Sequence, residues 1–433
     1  MFAKYRSVSL ILRIIIGLII GALLAVIFPK AAFIGVMGQL FVGALKGIAP
    51  VMVFFLILSA ISAFHEGGEN HFGSVIKLYL SATLLSAFAA VAASWLFPLK
   101  LNLPKSVHVA GGAPKSLGKV IENLLINAVG NPLDAIVNAN YLSILFWALL
   151  IGFMLRLASK QTRQTITEIS DAIIKVAQLV IEFAPFGICG LIYTSISQTG
   201  FASVAKYGQL VLLLVGTMAA VYLILYPLMV FVMTGQNPYP LTLWTLKVSG
   251  IPAFFTRSSA VNIPINLQAC EDLGLNKESY AVSITLGGSA NSGGAAITVS
   301  VMTLAACATL GIHVSFFLAV ILCILTALAA TGASGIAGGS LLIIPMAASI
   351  FGISNDIAMQ VVGVGFIIGV IQDSVETAVN SASDLLFAAA AEWHDVQKQT
   401  GKKVDIKAAV RRANHKQNNR VAAPAAPADA QEA

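Results

Sequence analysis

Charged side chains are scarce in this sequence, and their scarcity argues against a water-soluble fold. Of 433 residues, 58% are hydrophobic and only 10% are charged, whereas soluble domains carry about 25% charged residues. The segment from Glu278 to Gln397 contains seven acids and no Lys or Arg. Such an apolar excess is expected where lipid is the solvent, so the sequence predicts an all-α integral membrane protein.

Closely spaced cysteines and metal-ligating patterns are also missing. The sequence has four cysteines, with no short-spaced pair, and six histidines without ligand spacing. Neither a disulfide framework nor a metal cluster of these residues is predicted. No nucleophile and base have a spacing typical of an enzyme, so a non-enzyme is expected. A membrane hydrolase using Ser259 and Asp373 is the one catalytic alternative left open.

The basic residues are clustered at Lys4 to Arg13, around residues 156–163, and from Lys398 to Arg420. Such clusters set the orientation of membrane helices, so both termini are expected in the cytoplasm. The lysines of the polar segment 99–139, which is predicted to be a loop, count against this orientation. No signal-peptide cleavage site follows the first apolar run, so that run is predicted to be a transmembrane helix.

Six apolar runs in the first half are close to the roughly 20 residues that a membrane helix needs: 8–28, 34–63, 74–98, 140–158, 170–197 and 208–233. Within the first run, Gly17 and Gly21 have a spacing that permits close helix packing.

The last third contains two broken apolar segments. Residues 241–255 and 261–270 are separated by Thr256–Ala260, and residues 315–330 and 341–353 by Thr331–Ser340. No half is long enough to span a bilayer, which predicts two re-entrant hairpins, the best sequence indication of a transporter's binding site. Ordinary spans with glycine kinks are the alternative.

Between these segments, the span 280–311 has the centre Gly-Gly-Ser-Ala-Asn-Ser-Gly-Gly at 287–294. Such a run weakens a helix and leaves backbone carbonyls available to a hard cation. The alternative is close packing of small residues against a neighbouring helix.

The last apolar segment, from about Ser354 to Trp393, carries a polar stripe: Asp373, Glu376, Thr377, Asn380 and Asp384. At the helical period they share one face about 100° wide. Because a buried acid costs about 2.5–3.5 kcal/mol at mid-membrane, this face is expected to contact cations, donors or water. The pattern indicates transport of a small polar solute. A channel is the main alternative, because channels use similar polar stripes.

Taken together, these motifs resemble the dicarboxylate/amino acid:cation symporter family of the glutamate-transporter type. Thr256-Arg257-Ser258-Ser259 with Ile263-Pro264 resembles its serine-rich first hairpin, the Asn291 segment its Asn-Met-Asp-Gly-Thr motif, and the stripe its last helix. The resemblance extends to about residue 395 and is closest to bacterial members that carry serine and threonine with sodium.

The resemblance implies eight transmembrane helices plus two re-entrant helical hairpins, and an elevator-type homotrimer with scaffold and transport domains. Residues 1–235 would form helices 1–6, of which helices 3 and 6 move with the transport domain. Residues 236–396 would form the binding core. Residues 397–433 would be a basic cytoplasmic tail, disordered from Val421 onward. The expected location is the bacterial inner membrane, surrounded by lipid.

Residue roles follow from the same resemblance. Asp373 would bind the substrate ammonium group, Asn380 and Ser259 the α-carboxylate, and Thr377 would line the side-chain pocket. The remaining substrate contacts would be Arg257, Ser258, Glu376 and Ile336. The first sodium site would use Gly287, Asn291, Asn380 and Asp384, and the second Ser289, Ala330, Thr331 and Ala333.

Two departures from the family pattern are informative. Glu376 stands where members that carry acidic substrates have an Arg, so L-serine and L-threonine are expected over aspartate and glutamate. Glu376 could also pair with Arg257, which would leave no net positive charge for a second carboxylate. Gly293 and Ala295 replace an Asp and a Thr of the motif, and Leu85 replaces a Thr, so the third cation site is expected to be absent. A sodium- or proton-coupled dicarboxylate or broad neutral amino acid carrier remains the alternative.

Overall fold

The computed structural model describes residues 10–63, 72–101, 103, 126, 128–200, 202–333 and 338–422, and within these ranges it contains helices and no strand. The N-terminal part consists of α1 (Leu10–Ile27), α2 (Phe33–Ala63), α3 (Phe72–Leu96), α4 (Pro132–Val137), α5 (Tyr141–Leu155), α6 (Lys160–Glu182), α7 (Ala184–Thr199), α8 (Ala202–Ala220) and α9 (Tyr226–Thr234). A π-helical turn, Val221–Leu225, joins α8 to α9.

The C-terminal part consists of α10 (Tyr239–Thr245), α11 (Ile251–Thr256), α12 (Ser259–Leu273), α13 (Lys277–Ala290), α14 (Gly293–Leu310), α15 (Phe316–Ala333), α16 (Ile344–Ser349), α17 (Asn355–Thr400) and α18 (Ile406–Ala422). The π-helical turn Leu246–Gly250 joins α10 to α11, and the 3-10 turn Gly339–Ile343 precedes α16.

Five described helices are long and apolar enough to cross a membrane: Phe33–Ser62, Gly73–Leu96, Lys206–Thr234, Lys277–Leu310 and Asn355–Thr400. Helices α6 and α7 form a sixth span if their bent pair is counted as one, whereas α1 and α5 are shorter apolar helices. The chain is therefore a multi-pass membrane protein.

The structure corrects three details of the predicted elements. The run 170–197 is two helices bent by 53° around Phe183, with Pro185 in the first turn of α7. A short helix, α4, lies inside the predicted loop 99–139, most of which is outside the described residues. The basic tail forms α18, which includes Val421 and Ala422, where disorder was expected to begin; residues 423–433 are outside the described residues.

The glycine spacing in α1 serves close packing against α7, as predicted. A Cβ atom at Gly17 would lie 2.2 Å from the carbonyl oxygen of Pro185, and one at Gly21 would lie 2.4 Å from that of Cys189. No side chain fits at either position without moving backbone, so the two helices approach as closely as glycine allows.

Each broken segment forms two helical limbs that contact each other, as expected for a hairpin, and the turn between the limbs is described in the first segment alone. Hairpin 1 consists of α10–α11 and α12, which contact each other on either side of Arg257. Hairpin 2 consists of α15 and α16, and its residues 334–337 are outside the described residues. Both hairpins pack against α17, as do α13 and α14, so α17 is the buried axis of the C-terminal part.

Candidate functional site

The polar stripe of α17 lies inside the protein. Its five side chains are between 2% and 6% exposed: Asp373, Glu376, Thr377, Asn380 and Asp384. The acids are therefore shielded from water and must be stabilised by the groups that neighbouring elements place around them.

Asp373 connects the two hairpins. The Nε of Arg257 donates to Asp373 Oδ2 at 2.7 Å, and the backbone N–H of Gly338 donates to Oδ1 at 3.0 Å. Arg257 lies at the tip of hairpin 1 with a left-handed backbone (φ 53°), which turns the chain between α11 and α12. The guanidinium therefore pairs with Asp373 and not with Glu376, the pairing that the sequence had left open.

Glu376 is held by three uncharged donors. Its Oε2 accepts hydrogen bonds from Thr298 Oγ1 at 2.7 Å, Ser340 Oγ at 2.8 Å and Gln372 Nε2 at 2.5 Å. Its Oε1 has no hydrogen-bond partner among the described residues. The carboxylate is thus fixed through one oxygen and retains the other as an open acceptor.

Sequence reasoning missed all three of these donors. Gln372 stands four residues before Glu376, so helical spacing could have indicated it. Thr298 and Ser340 belong to α14 and hairpin 2, and no pattern in the sequence connects them to Glu376.

Asp384, the last residue of the stripe, is in contact with Asn291. The Nδ2 of Asn291 donates to Asp384 Oδ1 at 2.9 Å, to Ser383 Oγ at 2.7 Å and to the Asn380 carbonyl at 3.3 Å. Asn291 lies in the break between α13 and α14, with non-helical backbone (φ −102°, ψ 91°). The glycine-rich run thus interrupts the helix between Ala290 and Gly293.

This arrangement fits a hard monovalent cation. The Oδ1 of Asn291 is buried without a hydrogen-bond partner, and the Nδ2 of the same amide contacts the Asp384 carboxylate. A Cβ at Gly287 would lie 2.8 Å from Asp384 Oδ1, so the backbone of Gly287 is adjacent to the acid. Carboxylate, amide and carbonyl oxygens are the ligands that hard cations prefer.

The remaining predicted residues are only partly described. Ala330, Thr331 and Ala333 form the last turn of α15, where carbonyls lack partners within the helix. Helix α13, which carries Ser289, contacts α15. The side chains of Ser289 and Ala333 and the whole of Ile336 lie outside the described residues.

The other substrate-site candidates have local roles. Ser258 caps α12, because its Oγ accepts from Val261 N at 3.3 Å, and Ser259 is 5% exposed at the start of that helix. Thr377 Oγ1 donates to the Asp373 carbonyl at 2.7 Å, and Asn380 Oδ1 accepts from Gly294 N at 2.8 Å.

The space beside Gly293 is filled by a tyrosine. A Cβ there would lie 2.0 Å from Tyr226 Oη and 2.8 Å from Ser86 Oγ, two hydroxyls that are 3.0 Å apart. Ser86, rather than Leu85, is the residue of α3 that faces this position, since Leu85 is 39% exposed. An acid at position 293 would have no room.

A second buried polar cluster lies between hairpin 1 and α17. Asn262 Nδ2 donates to Ser381 Oγ at 2.6 Å and to Ser249 Oγ at 2.9 Å, and Asn266 Nδ2 donates to the Ser381 carbonyl at 3.0 Å. This cluster contains no acid and fixes α12 to α17.

The chain is similar to known proteins over nearly its whole length. The sequence model of the sodium:dicarboxylate symporter family matches residues 10–393. Proteins named serine/threonine transporter SstT are similar to the chain: that of Lacticaseibacillus paracasei is 66% identical over 413 residues, covering 95% of each chain. That of Enterococcus faecalis is 53% identical over 410 residues, covering 95% of this chain and 97% of its own. A match that spans nearly the whole chain, including both hairpins and the α17 stripe, establishes that this protein belongs to the sodium:dicarboxylate symporter family.

Proposed function

We propose that this protein is a sodium-coupled symporter that imports serine and threonine across the bacterial inner membrane. The observation that carries the proposal is Glu376, a buried acid held by Thr298, Ser340 and Gln372. It stands where family members with acidic substrates carry an Arg. A fixed acid repels a second carboxylate, whereas its open oxygen accepts a hydrogen bond from a hydroxyl. The names of the similar proteins support the same substrates.

The substrate's main-chain groups are assigned to neighbouring residues. Asp373 binds the ammonium group, and Asn380 with Ser259 binds the carboxylate. The Arg257 guanidinium donates a hydrogen bond to Asp373 at 2.7 Å. The substrate ammonium group and the Arg257 guanidinium are both cations, so they compete for the Asp373 carboxylate. A guanidinium displaced from Asp373 is then available to the substrate carboxylate.

Two sodium ions are assigned to the sites around Asn291 with Asp384 and at the end of α15. The orphaned oxygen of Asn291 supports the first assignment, and the unpaired carbonyls of α15 support the second. Because Tyr226 fills the space beside Gly293, two sodium ions per substrate are proposed rather than three.

The proposed architecture has eight transmembrane segments, counting α1, α5 and the bent α6–α7 pair, with two re-entrant hairpins. Residues 1–235 supply a scaffold, from which α3 and α8–α9 move with the binding core 236–396 as an elevator. Both termini face the cytoplasm and three copies assemble. Native mass spectrometry would reveal the trimer.

A dicarboxylate carrier would need a cation for the distal carboxylate of its substrate, and Arg257 is the described basic residue nearest to the stripe. Its placement on Asp373 weakens that alternative. The test is sodium-driven uptake of labelled serine into proteoliposomes, with unlabelled threonine, alanine and aspartate as competitors. Threonine is expected to compete strongly and aspartate weakly. Preference for aspartate, or uptake that is independent of sodium, would overturn the proposal.

A further inference from the structure

We propose that the exposed face of α18 binds anionic phospholipid headgroups of the membrane that surrounds the protein. The helix is a fixed part of the fold. Ile406, Ala409, Val410 and Ala413 are buried, and α18 contacts α10 and α12 of hairpin 1. Gln236 Nε2 donates to the Val404 carbonyl at 2.7 Å, which holds the start of the helix to the turn after α9.

The opposite face is basic. Lys407, Arg411, Arg412 and Lys416 are exposed, and at about 100° per residue they lie across the helix from the buried side chains. Helix α18 contains no acid. The acid that precedes it, Asp405, is engaged in capping, since its Oδ1 accepts from Ala408 N at 3.0 Å.

This charge arrangement is unfavourable for α18 alone. Lys407 with Arg411, and Arg412 with Lys416, are like-charged pairs four residues apart, which destabilise an exposed helix. Only Lys416 has a described partner, the Glu271 carbonyl at 3.3 Å. An external anionic surface would relieve the repulsion.

The membrane is the anionic partner that the location favours. Helix α18 follows the C-terminal end of the membrane-spanning helix α17 and contacts α10 and α12 of hairpin 1. It therefore lies at the end of a span, close to the bilayer surface. Clusters of four to eight basic residues in such positions bind anionic lipid. The exposed basic face carries no Phe, Tyr, Trp or large aliphatic side chain that could insert among the acyl chains. The contact is therefore an electrostatic one with the headgroups, and added salt weakens it.

The test uses the full chain in neutral detergent, with an environment-sensitive dye on Asn418→Cys, an exposed position of α18. The four native cysteines are buried and remain unlabelled. Dye emission is measured during titration with dihexanoylphosphatidylglycerol, with the corresponding phosphatidylcholine, and with inorganic phosphate. We expect a saturable change with the anionic lipid alone, and its loss at 0.5 M salt. Equal responses to both lipids, or to phosphate at the same concentration, would overturn the proposal.

Variants separate the basic face from other lipid contacts. Lys407→Gln, Arg411→Gln and Arg412→Gln combined are expected to weaken the apparent lipid affinity about 10-fold or more. The combined substitutions Lys407→Arg, Arg411→Lys and Arg412→Lys keep the charge and should retain binding. The matched control replaces three exposed lysines elsewhere with glutamine, Lys30, Lys160 and Lys175, and should leave the lipid affinity unchanged. Equal loss in both glutamine triples would contradict a site on α18. The readout needs neither serine nor sodium, so it is independent of the proposed transport.

Discussion

At the scale of single residues, Arg257 and Asp373 form a buried ion pair, and the proposed function gives Asp373 a second role as the site of the substrate ammonium group. Removing one partner of a buried ion pair leaves an uncompensated charge, which costs about 3–5 kcal/mol. We expect Asp373→Asn to lower the thermal unfolding temperature in detergent and to abolish serine uptake. The double variant with Arg257→Gln should regain stability but not uptake. Recovery of uptake in the double variant would show that Asp373 only neutralises Arg257.

Glu376 is predicted to distinguish serine from alanine through the serine hydroxyl. A hydrogen bond to a charged group contributes about 1.5–3 kcal/mol, so Glu376→Gln should reduce the preference for serine over alanine about 10-fold in competition uptake. Glu392→Gln is the matched control, since Glu392 is a buried acid of the same helix that accepts from Asn276 N. An unchanged preference in Glu376→Gln would refute the assignment.

Asn291 is predicted to be a sodium ligand. Asn291→Ala removes the orphaned oxygen, so the sodium concentration that half-maximally raises the unfolding temperature should increase about 10-fold or more. Asn262→Ala is the control: its Oδ1 is also buried without a partner, but no carboxylate is among its described partners. It should lower stability without changing the sodium dependence. A similar sodium shift in both variants would contradict the assigned site.

The sequence predicted which side chains share the α17 face, but not how they pair. Helical periodicity gives the angular positions of Asp373 and Glu376, whereas the choice of Arg257 between them depends on the left-handed turn at the hairpin tip. The donors Thr298 and Ser340 come from separate elements, and their contacts arise only from tertiary packing.

At the scale of elements, α14 and α9 approach closely at Gly293. Any Cβ there would clash with Tyr226 Oη at 2.0 Å. Gly293→Ala should therefore lower stability by about 1–3 kcal/mol, and Tyr226→Phe in the same chain should restore part of the loss, measured by thermal unfolding. Additive effects of the two substitutions would contradict the contact. Ala295→Gly, two residues away and also buried, serves as a control for helix weakening.

Both hairpins could be predicted because an apolar run that is too short to cross the bilayer, and that ends in small polar residues, has to turn back inside the protein. Helix α18 could not be predicted, because its buried face consists of Ile406, Val410 and two alanines, too weak an apolar pattern in a basic sequence. The bend between α6 and α7 could not be predicted from hydropathy, because the mean hydropathy of the run 170–197 stays high even though Pro185 interrupts the helix.

At the scale of the whole molecule, family membership follows from a match to residues 10–393, but ion stoichiometry follows from the sites. The two proposed cation sites, together with Tyr226 in the space beside Gly293, predict two sodium ions for each serine. A helix count by length gives five or six spans in the described part, because the apolar stretches described in α1 and α5 are shorter than the length set for a span.

The reversal potential of serine flux in proteoliposomes tests sodium-coupled transport most directly. With serine at fixed concentrations on both sides, the sodium gradient and the membrane voltage are varied until net flux stops. We expect the balance point to shift with the sodium gradient as required for two ions per serine. A balance point that does not depend on sodium would contradict the proposed coupling, and one that requires three ions per serine would contradict the assigned sites.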